Sequence, residues 1–196
     1  MDHYFTDNRQ LAHNRKEISF RFLGVNYTFL TDAGVFSKDH VDQGSLILLS
    51  EVCKQTVSGS LLDYGCGYGA VACVLKKQFD YPVYAVDVNS RAVELTKENA
   101  KRNNVEIEVE WIDEAWETSQ RFSMVVLNPP IRAGKEVIYQ MFQKAYDLLE
   151  EDGSLWIVIR KQHGAASAQK ELIRIFDNCE NTKKEKGFYV FCSKRK

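Results

Sequence analysis

Hydrophobic and polar positions change their period several times along the 196 residues. Near the start the alternation is strict. Ile18, Phe20 and Phe22 alternate with polar neighbours, Gly24-Val25-Asn26 interrupts, and Tyr27 and Phe29 resume. A period of two on both sides of a glycine-containing turn predicts a β-hairpin. Thr31-Asp32-Ala33-Gly34-Val35-Phe36-Ser37-Lys38 has no period and reads as a loop, and Val41–Gln55 reads as an amphipathic helix.

The pattern then becomes regular. Short apolar runs near Leu61–Tyr64, Val83–Val86, Ile107–Trp111, Met124–Leu127 and Ser154–Ile159 predict strands. Segments near Ala70–Phe79, Arg91–Asn103, Glu136–Leu149 and Ala165–Phe176 predict the helices between them. The clearest stripe is Ile138, Met141/Phe142, Ala145 and Leu148/Leu149, which fall on one helical face and read as core. Two late runs, near Asn181–Lys186 and Phe188–Ser193, meet at Gly187 and predict a closing antiparallel pair. Alternating strands and helices predict an α/β fold with a doubly wound sheet. The expected organisation is one structural domain, with an N-terminal extension of hairpin and helix over residues 1–56 packed on a core over residues 57–196.

Composition narrows the class. With 44% hydrophobic and 27% charged residues, the chain can fill one globular core. It has no apolar run of membrane-spanning length, and Met1-Asp2-His3-Tyr4 does not open a signal peptide, so a cytoplasmic protein without a membrane partner is expected. Five cysteines without a C-x-x-C pair point to reduced thiols, and the histidines, His163 included, lack ligand spacing, so no metal is expected. The net charge of −1 is uneven: residues 151–196 carry ten Lys/Arg against six Asp/Glu, or +4, leaving −5 for the remainder. Arg160, Lys161, Lys183, Lys184 and Lys186 can face a phosphate backbone, the plainer reading being a solvated basic face.

Candidate chemistry gathers at two stretches. Leu127-Asn128-Pro129-Pro130-Ile131 follows the apolar run Phe122–Leu127 and falls at a strand's carboxyl end, where open α/β sheets bind ligands. Two prolines fix φ twice and remove two N–H donors. The turn therefore offers a side-chain amide oxygen and carbonyls but few donors, which suits a guest that is itself a donor, such as an NH₂ group. A rigid loop that merely caps a strand is the plain alternative. The second stretch is Leu62-Asp63-Tyr64-Gly65-Cys66-Gly67-Tyr68-Gly69, between a strand and a helix. Its glycines let backbone approach a ligand and present N–H groups at a helix start. Asp87, 22 residues after Gly65, ends the next strand, where a carboxylate can accept from both ribose hydroxyls. Gly65-x-Gly67-x-x-Ala70 also fits the dinucleotide fingerprint, but Asp63 would repel a pyrophosphate and can receive an ammonium group. S-adenosylmethionine has that ammonium group and no phosphate. Asp113 is placed to contact the adenine amino group, or serves a surface turn. Plainer readings stand beside these: Asp63 as a loop cap, Asp87 as an exposed strand-end carboxylate, and the glycines as parts of a tight turn.

Asp63-x-Gly65-x-Gly67-x-Gly69, Asp87 and Asn128-Pro129-Pro130-Ile131 together resemble class I S-adenosylmethionine-dependent methyltransferases of amino nitrogens. Further segments narrow the match: His3-Tyr4-Phe5, Gly34-Val35-Phe36-Ser37-Lys38, Val41-Asp42-x-Gly44-Ser45, Asn128 through Lys135, Trp156 through Lys161, and Lys186 through Val190. The set is similar to the small methyltransferase domain of the bacterial ribosomal RNA guanine-N2 methyltransferases of the RsmC type, in the form of the single-domain Gram-positive relatives. The resemblance implies S-adenosylmethionine as cofactor and small-subunit ribosomal RNA, free or in the subunit, as partner. It implies Asn128, Pro129 and Pro130 as catalytic residues, and Phe36, Lys38, Ile131, Arg132, Arg160 and Lys161 on the substrate side. Phe36, Tyr64 and Phe188 are candidates to stack on an extruded guanine, each also readable as a core aromatic. The chain departs from the pattern in three places. Ile131 stands where amino-methyltransferases often have an aromatic, Arg132 where the family often has His, and Ser123 where it often has Asp. Other readings are a methyltransferase of protein glutamine or adenine N6, a nicotinamide oxidoreductase, and a non-catalytic binding module.

Overall fold

A computed structural model of the chain describes residues 12–196, so His3-Tyr4-Phe5 lie outside the described residues. The strands and helices are β1 Lys16–Phe22, β2 Val25–Thr31, α1 Gln43–Val52, β3 Leu61–Tyr64, α2 Ala70–Gln78, β4 Val83–Asp87, α3 Ser90–Arg102, β5 Glu108–Trp111, β6 Phe122–Leu127, α4 Lys135–Leu148, β7 Leu149–Arg160, α5 Ala165–Phe176, β8 Glu180–Glu185 and β9 Phe188–Lys194. β1 and β2 form a two-stranded antiparallel sheet, and the other seven strands form one sheet in the order β5-β4-β3-β6-β7-β9-β8. β4 pairs β5 and β6 pairs β7 in parallel, whereas β9 runs antiparallel to both β7 and β8. The expected doubly wound α/β sheet with a closing antiparallel pair and an N-terminal hairpin is therefore what the chain forms. No helix among the described residues is long and apolar enough to cross a membrane.

The chain divides into two compact units. One takes the residues up to Asp42 together with Asp63–Glu117, and the other takes Gln43–Leu62 with Thr118–Lys196. The hairpin belongs to the first and α1 to the second.

In the first unit the hairpin turns at Leu23-Gly24, a residue earlier than the alternation suggests, so that Phe22 pairs with Val25. Both turn residues have positive φ, 46° and 82°, which is the two-residue turn whose twist matches that of the strands. This register aligns Phe20 with Tyr27 and Ile18 with Phe29, and the Phe20 and Tyr27 rings stack at 5.2 Å between centroids. The free edge of β2 is closed by two side-chain amides of α3. Asn99 accepts from Leu30 N–H at 2.7 Å and donates to its carbonyl at 2.8 Å; Asn103 does the same with Thr28 at 3.1 and 2.9 Å. Two asparagines one helical turn apart thus serve alternate strand residues as a peptide would, which occupies an edge otherwise open to pairing. Asn89 caps α3 by accepting from Arg91 N–H at 3.1 Å, a contribution of about 1 kcal/mol.

In the second unit β6 is buried along nearly its whole length, and Ile138, Phe142, Ala145 and Leu148 form the buried stripe of α4. α5 repeats the arrangement with Ala165, Ala168, Leu172 and Phe176. β7 is longer than its apolar run suggests. It begins at Leu149, directly from α4, and its register against β6 jumps between the Phe122–Leu149 and Met124–Ser154 pairs. The polar residues Glu150-Glu151-Asp152 bulge out there, which hides the strand's start from any reading of hydrophobic period. Gly153 sits in the bulge, where an added Cβ would come within 2.9 Å of the Phe122 carbonyl oxygen.

Candidate functional site

The glycine loop of the first unit follows β3, whose four residues are all buried. Gly65 and Cys66 both donate their N–H groups to the Val86 carbonyl, at 2.9 and 3.0 Å, which binds the loop to β4. Gly65, Gly67 and Gly69 have φ of 83°, 57° and 87°, in the left-handed region that favours glycine. The last two need glycine for different reasons. A Cβ on Gly69 would lie 2.8 Å from Thr96 Cγ2, so this glycine lets α2 approach α3. A Cβ on Gly67 would meet nothing within 4 Å and would project into open space, as expected of a glycine that leaves room for a ligand.

Two buried carboxylates hold the loop in place. Asp87 accepts the Gly67 N–H on Oδ2 at 2.8 Å and the Asn89 N–H on Oδ1 at 2.9 Å. Burial pushes its pKa up to about 6, against the pull of those N–H donors. Each oxygen of a carboxylate has two acceptor positions, so Asp87 keeps capacity for hydroxyl donors. Asp63 accepts the Ala72 N–H at 2.9 Å. α2 has no side-chain cap of its own, because Gly69 stands at that position, and Asp63 supplies the missing acceptor from β3. Burial, aided by the charge of Asp87, pushes the Asp63 carboxyl up to about 7. A glycine cradle with two such carboxylates can hold a ribose and a cationic group.

The Asn-Pro-Pro turn belongs to the second unit. Asn128 is half-buried, Pro129 buried, and Ile131–Ala133 forms one 3₁₀ turn after Pro130. The Pro130 carbonyl accepts the Ala133 N–H at 2.9 Å. Asn128 Nδ2 donates to Ser45 Oγ of α1 at 3.0 Å, and Ser45 is buried. That bond assigns the amino end of the amide to Ser45 and turns its oxygen, an acceptor with two lone pairs, the other way.

The remaining predicted residues are distributed as follows. Asp113 is exposed and accepts the Ala115 N–H at 3.0 Å, which closes a turn after β5. Phe36 is 38% exposed, whereas Tyr64 and Phe188 are buried, and Arg160 lies over the Phe188 ring at 4.4 Å from its centroid. Of the three stacking candidates, Phe36 is the one with an exposed ring. Lys38 is half-buried and its carbonyl accepts from Thr31 Oγ1 at 2.6 Å; Ile131 is half-buried and Arg132 exposed. Arg160 and Lys161 are exposed at the end of β7. Ser123 accounts for itself without a carboxylate, since its N–H and hydroxyl both donate to the Ser60 carbonyl, at 2.9 and 3.2 Å.

Sequence reasoning missed the supports. Thr96 donates its hydroxyl to the Gly67 carbonyl at 2.9 Å, and Asn99 donates to the Tyr68 carbonyl at 2.8 Å, so α3 fixes the loop from below. Ser45 ends the segment Val41-Asp42-x-Gly44-Ser45, but nothing in the sequence singles it out. Asn99 leaves one legible signal, because asparagine is a poor interior helix residue, whereas Asn103 stands at the carboxyl-terminal cap of α3, where asparagine is ordinary.

The family described as Methyltransferase small domain matches residues 26–192. A relative named uncharacterized protein YbxB, from Bacillus subtilis (strain 168), is 40% identical and the alignment covers 99% of this chain and 98% of that one. The ribosomal RNA small subunit methyltransferase C of Aeromonas hydrophila is 37% identical over 67% of this chain, which spans 39% of that protein's length. Among solved structures, the T. thermophilus 16S rRNA N2 methyltransferase RsmC, in complex with AdoMet and guanosine, superposes with a TM-score of 0.83 at 25% identity, covering 93% of this chain and 51% of that one. The seven-stranded architecture is accordingly the Rossmann-like methyltransferase fold. With the family matching most of its length, the chain belongs to the methyltransferase small domain family.

Proposed function

We propose that this protein transfers the methyl group of S-adenosylmethionine to an exocyclic amino nitrogen, guanine N2 of small-subunit ribosomal RNA. The observation that carries the reading is the hydrogen bond from Asn128 Nδ2 to Ser45 Oγ, which commits the Asn128 oxygen to the acceptor role in a turn poor in donors. The small-subunit ribosomal RNA in the name of the A. hydrophila relative, and the 16S rRNA N2 and guanosine in that of the T. thermophilus complex, favour guanine over other amino groups. The cofactor, when bound, supplies an electrophilic sulfonium methyl. Asp87, at the end of β4, would accept from its ribose hydroxyls, and Asp63, on β3 before the glycine loop, would favour its cationic amino-acid end. Asn128 Oδ1 and the Pro129 carbonyl would accept the two N–H groups of the guanine amine, while the Pro130 carbonyl accepts the Ala133 N–H. Holding both N–H groups pulls the nitrogen toward tetrahedral geometry and aims its lone pair, which otherwise delocalises into the ring. Positioning of this kind can supply roughly 7–11 kcal/mol, so no strong general base is needed. As the methyl's bond to sulfur breaks and its bond to nitrogen forms, the acceptors would stabilise the positive charge that develops on nitrogen, and the surplus proton would then pass to solvent. A paired guanine must first leave its stack, at a cost of about a few kcal/mol.

A methyltransferase of protein glutamine or adenine N6 would use the same acceptors, and the aliphatic Ile131 after Asn128-Pro129-Pro130 disfavours both. A ribosomal RNA substrate supports a cytoplasmic location. Mass mapping of methylated nucleosides in small-subunit RNA, with and without the gene, tests the reading, together with methylation of the unmodified RNA by purified protein. The expected product is N2-methylguanosine. A methylated adenine, or protein-bound methyl groups alone, would overturn it.

A further inference from the structure

The second unit contains a groove of about 420 Å³ lined by Arg160, Lys161, Gln162, Lys186 and Gly187. Three of these five residues are cationic and none is acidic. The groove is built from two segments that hydrogen bonds hold together. Arg160 ends β7, Lys186-Gly187 is the two-residue turn between β8 and β9, and Lys161 donates its N–H to the Gly187 carbonyl at 2.9 Å. The turn residues have φ of 49° and 78°, which fixes the direction in which Lys186 leaves the backbone. The Arg160 guanidinium rests on the Phe188 ring and is thereby held in place. The nearest acid on this turn is Glu185, 3.9 Å from Lys186 Nζ, a long contact between exposed groups that solvent screens.

Lys183 and Lys184, the other two cations that the sequence offers to a phosphate backbone, are differently occupied. Lys183 Nζ lies 3.3 Å from Glu51 and 3.1 Å from Glu185 and donates to Ser50 at 3.1 Å. Lys184 lies over the Tyr189 ring at 5.1 Å. Register places the groove beside the Asn-Pro-Pro turn: Leu127 of β6 pairs with Ile157 of β7 in parallel, so Asn128 is level with Val158 and Arg160 is two residues further on.

We propose that Arg160, Lys161 and Lys186 bind neighbouring backbone phosphates of the RNA strand, next to the nucleotide whose amino group Asn128 receives. The inference rests on RNA being the substrate. It assigns the site's ligand class, a phosphodiester, and it separates these three cations from Lys183 and Lys184. Phosphate is the chemistry that suits the groove, because a guanidinium and two ammonium-bearing residues line it and the carboxylate beside them, Glu185, makes only the long, solvent-screened contact with Lys186.

The test is the salt dependence of binding to a fluorescein-labelled, single-stranded RNA of mixed sequence, measured without cofactor so that turnover plays no part. The Lys161→Gln/Lys186→Gln variant loses two phosphate contacts, so the slope of log affinity against log salt flattens by about 1.4, and affinity near 0.1 M salt falls on the order of tenfold. Lys170→Gln, at an exposed position of α5, keeps the wild-type slope. Melting temperatures check folding, and Lys186→Gln alone, at an exposed turn, flattens the slope by about 0.7 if the double variant does not fold. An unchanged slope, or an equal change in Lys170→Gln, overturns the proposal. So does binding of polyglutamate without binding of RNA, or guanosine monophosphate competing as strongly as the RNA. If the wild type binds with the expected difference in slope yet methylates no small-subunit RNA, the groove stands and the proposed reaction fails.

Discussion

Asn128 Nδ2 donates to the buried hydroxyl of Ser45 at 3.0 Å, across 83 residues of sequence. An asparagine amide can present either its oxygen or its amino group, and this bond sets the amino end toward Ser45. In the proposed reaction a donor turned toward the incoming amine would repel it, and Ser45 would act as a positioning residue for the oxygen.

This relationship predicts a graded series. Asn128→Ala should bind S-adenosylmethionine nearly normally and lose turnover on the order of a hundredfold, as a missing preorganised partner of the transition state does. Asn128→Asp keeps an acceptor oxygen and should retain part of the activity. Ser45→Ala removes an orienting bond of about 0.5–1.5 kcal/mol, a roughly two- to tenfold fall in kcat with KM and cofactor affinity unchanged, and Ser45→Thr should restore it. Single-turnover methylation, calorimetric cofactor titration and melting temperature on the same preparations read all four. A folded, cofactor-competent Asn128→Ala protein with wild-type rate would sink the mechanism.

Cofactor affinity should depend on pH. Asp87 and Asp63 have pKa values pushed up to about 6 and about 7, chiefly by burial. A guest with a positive charge prefers both as carboxylates, so affinity should rise as pH increases through 6 and 7 and then level off. The cofactor-free fold responds with the opposite sign. Carboxyls raised in the folded state hold protons that the unfolded chain has released, so their stabilising contribution is full below about 4 and is lost as pH rises through about 7. Isothermal titration and thermal melts between those limits measure both, and Asp63→Asn should weaken both trends. A flat affinity profile would remove Asp63 and Asp87 from the binding step.

Gly67→Ala and Gly69→Ala should separate ligand binding from packing. Both force a left-handed residue to carry a Cβ, at about 1–2 kcal/mol. Gly69→Ala adds a 2.8 Å clash with Thr96, for a further cost of about 1–3 kcal/mol. Gly67→Ala adds no clash and instead fills the open side of the cradle. Denaturant unfolding should rank Gly69→Ala as the less stable, and cofactor titration should rank Gly67→Ala as the weaker binder relative to its folded fraction. Equal stabilities would contradict the close approach of α2 to α3.

Lys183 should behave as a structural cation. Glu185 and Glu51 hold its ammonium group protonated, and Lys183→Glu would set a third carboxylate beside them. Because the site is partly exposed, the loss should be up to about 1 kcal/mol, read as a lower melting temperature. The salt slope of RNA binding should stay at its wild-type value. A flattened slope with unchanged stability would return Lys183 to the RNA-facing set.

Period and backbone constraint made the order of strands and helices, the closing antiparallel pair, the glycine loop and the Asn-Pro-Pro turn legible in the sequence, because each depends on residues a few positions apart. Period alone misplaced the hairpin turn by one residue and missed the first turns of β7, where a bulge of acidic residues breaks the alternation. The tertiary structure decided what each chemical group touches. It spent an oxygen of Asp63 on α2, spent both oxygens of Asp87 on backbone N–H groups, set Asn99 and Asn103 against the edge of β2, and gave the Asn128 amide its orientation through Ser45. It also divided the basic residues, neutralising Lys183 with two glutamates while leaving Arg160, Lys161 and Lys186 around one groove. A charge in sequence is only a count. Its chemistry depends on the partner that folding brings within about 4 Å, where Coulomb attraction and hydrogen bonding outweigh solvent.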